Sequence, residues 1–399
     1  MIRNSLLRLA ALVLLLVAGQ ASAALNVFAT VPEWAALARE IGGDKVSVFA
    51  ATSALQDPHR IEARPSLIAR ARSAGLVIAT GAELEIGWLP VVLRESGNAA
   101  IQPGQPGYLE AAQAVRMLEV PARLDRADGD VHPGGNPHIQ LDPRNILKVA
   151  DALVARLAQV DPANAAAYKT NHARFSEKWR GAMARWDKDA APLRGVPVWV
   201  HHKAFPYLSD WLGLKEVAVL EPKPGVEPTA AHLQGVLATL KATPARMVIY
   251  AAYQDPRPSD WLNKNGNVPV VKLPFTVGGT DGAKDLFGLF DDTVARLLAA
   301  GTGGRSRACP GGPCSPCGPG GPSGPGSPNM PGAPSGPGSP SRPVSPWGPW
   351  VPCSPCGPRS PSCPRWASGC HLRSEPGSPA ASARACHVAP RWVTTAPWR

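Results

Sequence analysis

The feature that most restricts the fold is a long helical stretch, residues 143–191, with short β-branched runs alternating with helical segments on both sides of it. Strand runs are expected at 25–30, 46–50 and 76–80 before it, and at 196–201, 217–220, 247–251 and 268–273 after it. Such alternation predicts parallel strands joined by crossover helices. The chain therefore reads as a strand-rich lobe, a helical connector and a second strand-rich lobe. Within the connector, Asp142-Pro143 and Asp161-Pro162 each place a capping residue before a first-turn proline, so two helix N-termini are expected there.

The ends of the chain stand apart from this body. Arg3 and Arg8 precede an apolar run over residues 9–18, and Ala21-Ser22-Ala23 has the small-x-small form of a signal-peptidase site. Cleavage is expected near Ala23/Ala24. The run falls short of the roughly 20 residues that span a bilayer, and no later segment reaches that length. No cysteine follows the cleavage site, so the mature protein is expected free in the periplasm.

From Gly301 the residues turn to Pro, Gly, Ser, Arg, Cys and Trp, and all eight cysteines lie beyond it. Nine arginines against the single acid Glu375 give this tail eight of the eleven net positive charges. The basic balance thus belongs to the tail, and a nearly neutral body without a basic stripe argues against nucleic acid as a partner. Cys-Ser-Pro-Cys-Gly-Pro occurs at 314–319 and again at 353–358, a spacing that can mark a zinc site. Surrounding Pro and Gly cannot bury a core, however, and the residue set reads as an out-of-frame extension. A disordered tail and a metal- or disulfide-linked tail are the alternatives. The expected plan is a signal peptide over 1–23, an N-terminal βα lobe over 24–142, a helical connector over 143–191, a C-terminal βα lobe over 192–300 and the tail over 301–399. With no cysteine in the body, its fold has to be held by burial.

Chemistry concentrates in the histidines. His59 lies in Asp57-Pro58-His59 and His138 in Asn136-Pro137-His138, each presented by a stiff proline turn ahead of a helix. His201 and His202 end the strand run that starts at Val196, and because strand side chains alternate, only one of the two should face a cleft. Asp281, in the glycine-rich segment after the last strand run, could add a carboxylate. These positions, after strands or before helices, are where parallel sheets place ligands. Three imidazoles and one carboxylate suit tetrahedral zinc, whereas a manganese site is expected to carry more oxygen. Four protein ligands leave no position for an activated water, which favours binding over hydrolysis.

Over about residues 25–298 the sequence resembles the metal-specific solute-binding subunits of ABC importers, the TroA-like, cluster A-I receptors, in their zinc-binding subtype. Asp57-Pro58-His59 with Pro65, Asn136-Pro137-His138 with Leu141-Asp142-Pro143, and His202-Lys203-Ala204-Phe205-Pro206-Tyr207 carry the resemblance. It selects His202 over His201, and Asp281 falls where the family has its last carboxylate. The fold it implies is α/β, with two βα lobes of mainly parallel sheet joined by a long rigid helix and a metal site in the cleft. His59 and His138 would come from the first lobe, His202 and Asp281 from the second.

The function implied is a periplasmic high-affinity zinc receptor, a monomer and not an enzyme, which delivers Zn2+ to an inner-membrane ABC permease and can be loaded by a periplasmic zinc chaperone. A manganese or iron receptor of the same family is one alternative. A periplasmic zinc hydrolase is another, with Glu62 or Glu227 as nominal bases. The loop over residues 125–135 is short for a zinc receptor and offers only His132 with Asp125, Asp128 and Asp130, a set suited to weak capture and handover.

Overall fold

A computed structural model describes residues 23–123, 129 and 131–301. The signal peptide, the tail with its cysteine pairs, and Asp125, Asp128 and Asp130 of the loop lie outside the described residues, Ala23 excepted. The first sheet holds β1 (Leu25–Ala29), β2 (Val46–Ala50), β3 (Leu76–Ala79) and β4 (Tyr108–Glu110), all parallel, in the order β2-β1-β3-β4. The second holds β5 (Pro197–Val200), β6 (Lys215–Val219), β7 (Met247–Ala251) and β8 (Val270–Leu273), again parallel, in the order β6-β5-β7-β8. Each sheet places its first strand second from the edge, so both lobes repeat one winding. Their central strands β3 and β7 are buried at every residue, as expected of sheets covered by helices on both faces.

Helices α1 (Pro32–Gly42), α2 (Pro65–Arg72) and α3 (Leu89–Ser96) belong to the first lobe. Helices α6 (Pro206–Leu212), α7 (Ala230–Ala242), α8 (Arg257–Gly266) and α9 (Leu286–Gly301) belong to the second. Between them lie α4 (Pro143–Val160) and α5 (Ala165–Asp189). The connector is thus two packed helices, of which α5 is the long one that reaches both lobes. Asp142 caps α4 by accepting from the Arg144 amide at 2.8 Å. A short 3-10 turn over Pro162–Asn164 separates the two helices, because Pro162 has no amide hydrogen with which to continue α4.

Helix α5 ties the lobes together through its two halves. Early in it, Asn171 donates from Nδ2 to the carbonyl of Ile41 in α1 at 3.0 Å. Late in it, Trp186 donates from Nε1 to Asp291 of α9 at 2.6 Å, and its ring lies 5.0 Å from that of Phe290. One continuous apolar core accordingly contains Trp34 and Ile78 of the first lobe, Trp179 and Trp186 of α5, and Ile249 and Phe290 of the second. Such a shared core resists hinge motion, since separating the lobes would expose fully buried tryptophans. Smaller apolar clusters lie under α2 and α3 on one side and under α7 and α8 on the other.

Seven of the eight strands coincide with expected runs to within a few residues. The exception is β4, three residues long, which lacks the β-branched signature because its sequence is Tyr-Leu-Glu. Among the described residues no helix is long and apolar enough to cross a membrane.

Candidate metal site

Two loops at the carboxyl ends of strands and one ahead of a helix carry the expected histidines to one point. His59 follows β2, His202 stands two residues after β5, and His138 precedes the 3-10 turn Ile139–Leu141 that leads into α4. One nitrogen from each of His59, His138 and His202 lies within 4.8 Å of the others. The ring centroids are 5.3 Å apart for His59 and His138, 5.4 Å for His138 and His202, and 6.1 Å for His59 and His202.

The orientation of each ring has a visible cause. Asp57 Oδ1 accepts from the His59 amide at 3.0 Å and lies 2.8 Å from its Nδ1. Asn136 Oδ1 does the same for His138, at 3.1 Å from the amide and 2.8 Å from Nδ1. Proline between the two residues fixes the turn, so an Asx oxygen two positions upstream meets both the backbone and the ring. For His202 the corresponding acceptor comes from afar: Glu221 Oε2 lies 2.6 Å from Nδ1. An acceptor beside each Nδ1 favours the tautomer protonated there and leaves Nε2 as the donor atom, the arrangement in which imidazoles bind metals. Nε2 of His59 and of His138 are buried with no hydrogen-bond partner in the protein, a costly state that a bound cation would relieve.

Electrostatics favour a divalent cation here. Burial, with the neighbouring His59, His202 and His132 adding to it, holds His138 well below the usual imidazole range, so that ring stays neutral and available. Burial pushes the Asp57 carboxyl up, but the hydrogen bond and charge of His59 with that of Arg60 outweigh it, and Asp57 is held below the ordinary carboxylate range. The carboxylates of Asp57 and Glu221, behind two of the three imidazoles, match a 2+ ion in charge. A cavity of about 150 Å³ opens beside His59 and His202, lined also by Asp57, Arg60, Glu221 and Glu227.

His201 turns away from this centre. It is fully buried, its Nε2 lies 3.5 Å from Glu227, and burial lowers its pKa. Asp281 is also outside the group, a departure from the four-ligand expectation. It is exposed at the tip of a closed turn in which the Gly278 amide donates to the Ala283 carbonyl at 2.6 Å and Thr280 Oγ1 donates to Asp292 at 2.5 Å. His132, by contrast, lies close, with its ring 5.4 Å from that of His59. Glu62 and Glu227, the nominal bases, are both exposed, and only Glu227 lines the cavity.

Two similar βα lobes with a nitrogen-rich centre in the cleft define a two-lobed receptor for a metal ion. Residues 27–300 match the family model described as "ZnuA: Zinc-uptake complex component A periplasmic", and the chain belongs to this family. The match ends where the Pro/Gly-rich tail begins. Relatives include the metal ABC transporter substrate-binding lipoprotein ScbA of Streptococcus cristatus, 24% identical over 64% of this chain and 81% of its own length. The manganese ABC transporter substrate-binding lipoprotein PsaA of Streptococcus pneumoniae is 23% identical over 63% of this chain and 80% of its own. Among solved structures, ZnuA superposes with a TM-score of 0.56 at 23% identity, over 69% of this chain and 98% of that one. FpvC from Pseudomonas aeruginosa in complex with Mn2+ gives 0.58 at 23% identity, over 70% and 98%. The chain is therefore a metal-binding periplasmic component of an ABC importer and not an enzyme, and its class implies a membrane permease as partner.

Proposed function

We propose that the cargo is zinc, held by His59 and His138 of the first lobe and His202 of the second, so that the ion bridges the cleft. The observation that carries this is the donor set: three imidazoles, each with Nδ1 engaged, and, among the described residues, no carboxylate in the converging group. Zinc accepts such a nitrogen-rich set readily, whereas manganese favours oxygen. Asp281 is left out of the proposed ligands. Export through a leader cut near Ala23/Ala24, action as a monomer, loading by a periplasmic zinc chaperone and transfer to the permease complete the reading.

Manganese is the second reading, favoured by relatives named as manganese transporters and by the manganese-bound neighbour. Competitive titration of the metal-free chain with zinc and with manganese tests the choice. Tight binding of one zinc with weak manganese is expected, and tighter manganese would reverse it.

A further inference from the structure

Arg60 follows the first ligand directly, yet its side chain reaches the opposite lobe. Its guanidinium donates from an Nη to the carbonyl of Gly225 at 2.8 Å. Gly225 belongs to a compact turn after β6, in which Lys223 and Val226 form an antiparallel bridge and the Val226 amide donates to the Lys223 carbonyl at 3.0 Å. The turn depends on glycine, since Gly225 has a φ of +75°. The Gly225 amide in turn donates to Glu221 Oε2 at 2.9 Å, and that same oxygen orients His202. On its own side, Arg60 Nε lies 3.8 Å from Oδ2 of Asp57, whose other oxygen orients His59.

A single side chain thus joins the carboxylate behind His59 to the carboxylate behind His202 and stands at the wall of the 150 Å³ cavity. The shared core beneath α5 limits movement of whole lobes, so an ion held in the cleft has to leave through movement of loops at its mouth. The Glu221–Val226 turn is the loop whose displacement would unseat the acceptor of His202, and the Arg60 bond to Gly225 ties that turn to the first lobe.

We propose that Arg60 is a latch across the mouth of the cleft, a positioning residue that holds the Glu221–Val226 turn over the bound cation and sets the rate at which the cation leaves. This rests on the metal-binding reading of the three histidines. The contact is exposed, so its strength is that of a solvated charge-assisted bond, and its loss should speed release by about fivefold. Entry and exit pass the same loop, and the bond is made in the metal-free chain too, so capture should quicken along with release.

The test uses the full chain and the variants Arg60→Ala and Arg60→Lys. Hydrogen exchange of the metal-free proteins reads the latch without any metal: exchange over residues 221–226 should rise in Arg60→Ala while residues 139–142 stay unchanged. Zinc-loaded protein mixed with excess chelator then reads retention, with release about fivefold faster for Arg60→Ala, intermediate for Arg60→Lys and association quickened in the same order. Unchanged exchange or unchanged release in Arg60→Ala would overturn the latch. Raised exchange with no zinc retained by the unaltered protein would instead overturn the metal reading beneath it, leaving Arg60 as an interlobe clamp only.

Discussion

Glu221 Oε2 lies 2.6 Å from Nδ1 of His202, with only 6% and 8% of the two side chains exposed. The contact fixes the tautomer that leaves Nε2 unprotonated and adds electron density to the ring, as acceptors behind metal-bound imidazoles generally do. Glu221→Ala should therefore weaken zinc binding about 10- to 100-fold without touching a ligand. Glu221→Gln keeps an acceptor while removing the charge and should fall between. Competition against a chromophoric chelator measures both, and unchanged affinity in Glu221→Ala would show that Glu221 does not orient His202.

Asp281 offers a sharp contrast. Because it is exposed on a closed turn apart from the three histidines, Asp281→Ala should leave zinc affinity within about twofold, the reach of an exposed charge. His59→Ala, His138→Ala and His202→Ala should each cost more than Glu221→Ala does. A loss in Asp281→Ala comparable to theirs would mean that the turn over residues 278–283 opens and delivers the carboxylate when metal binds.

What was legible in the sequence followed from local rules. Proline before His59 and His138 announced stiff turns, and strand alternation required one of His201 and His202 to turn inward, which the structure resolves as His202. The Asx residues two positions upstream of His59 and His138 were visible too, but their role as shared acceptors depends on turn geometry that residue names do not express. Glu221 is harder, since its pairing with His202 comes from β5 and β6 lying side by side and is a tertiary fact. The position of Asp281 was not legible for a related reason: a glycine-rich loop permits many paths, and Thr280 and Ala283 close this one on itself. The short strand β4 carried no β-branched residue to mark it.

His138 shapes how zinc binding depends on pH. An imidazole must be neutral to bind, and binding displaces any proton it carries. Burial, reinforced by the surrounding histidines, already holds His138 well below its ordinary value of 6.5. Down through pH 6, then, zinc need not expel a proton from His138, and no more than about two of the three ligands can release one. Calorimetric titrations at pH 6 in buffers of different ionisation enthalpy count these protons directly. A count of three would show that His138 is protonated in the metal-free protein.

Glu33 links pH to the closure of the two lobes. It is 2% exposed at the start of α1, and Thr276 of the second lobe donates to it at 2.5 Å. Burial pushes its carboxyl up to about 7, the hydrogen bond from Thr276 offsets part of that, and the charge of Glu85 adds to it. A folded-state value above the ordinary 4.5 means that the fold favours the protonated acid. Its contribution to stability is fully present below about pH 4.5 and is lost as pH rises through about 7, a change of at most about 3 kcal/mol. Glu33→Gln keeps an oxygen for Thr276 while removing the charge, so the metal-free variant should melt above the unaltered protein at pH 8 and lose that advantage as the pH is lowered toward 5. Thermal melts across this range decide the matter, and equal melting temperatures at pH 8 would show that the Glu33 carboxylate is accommodated between the lobes without cost.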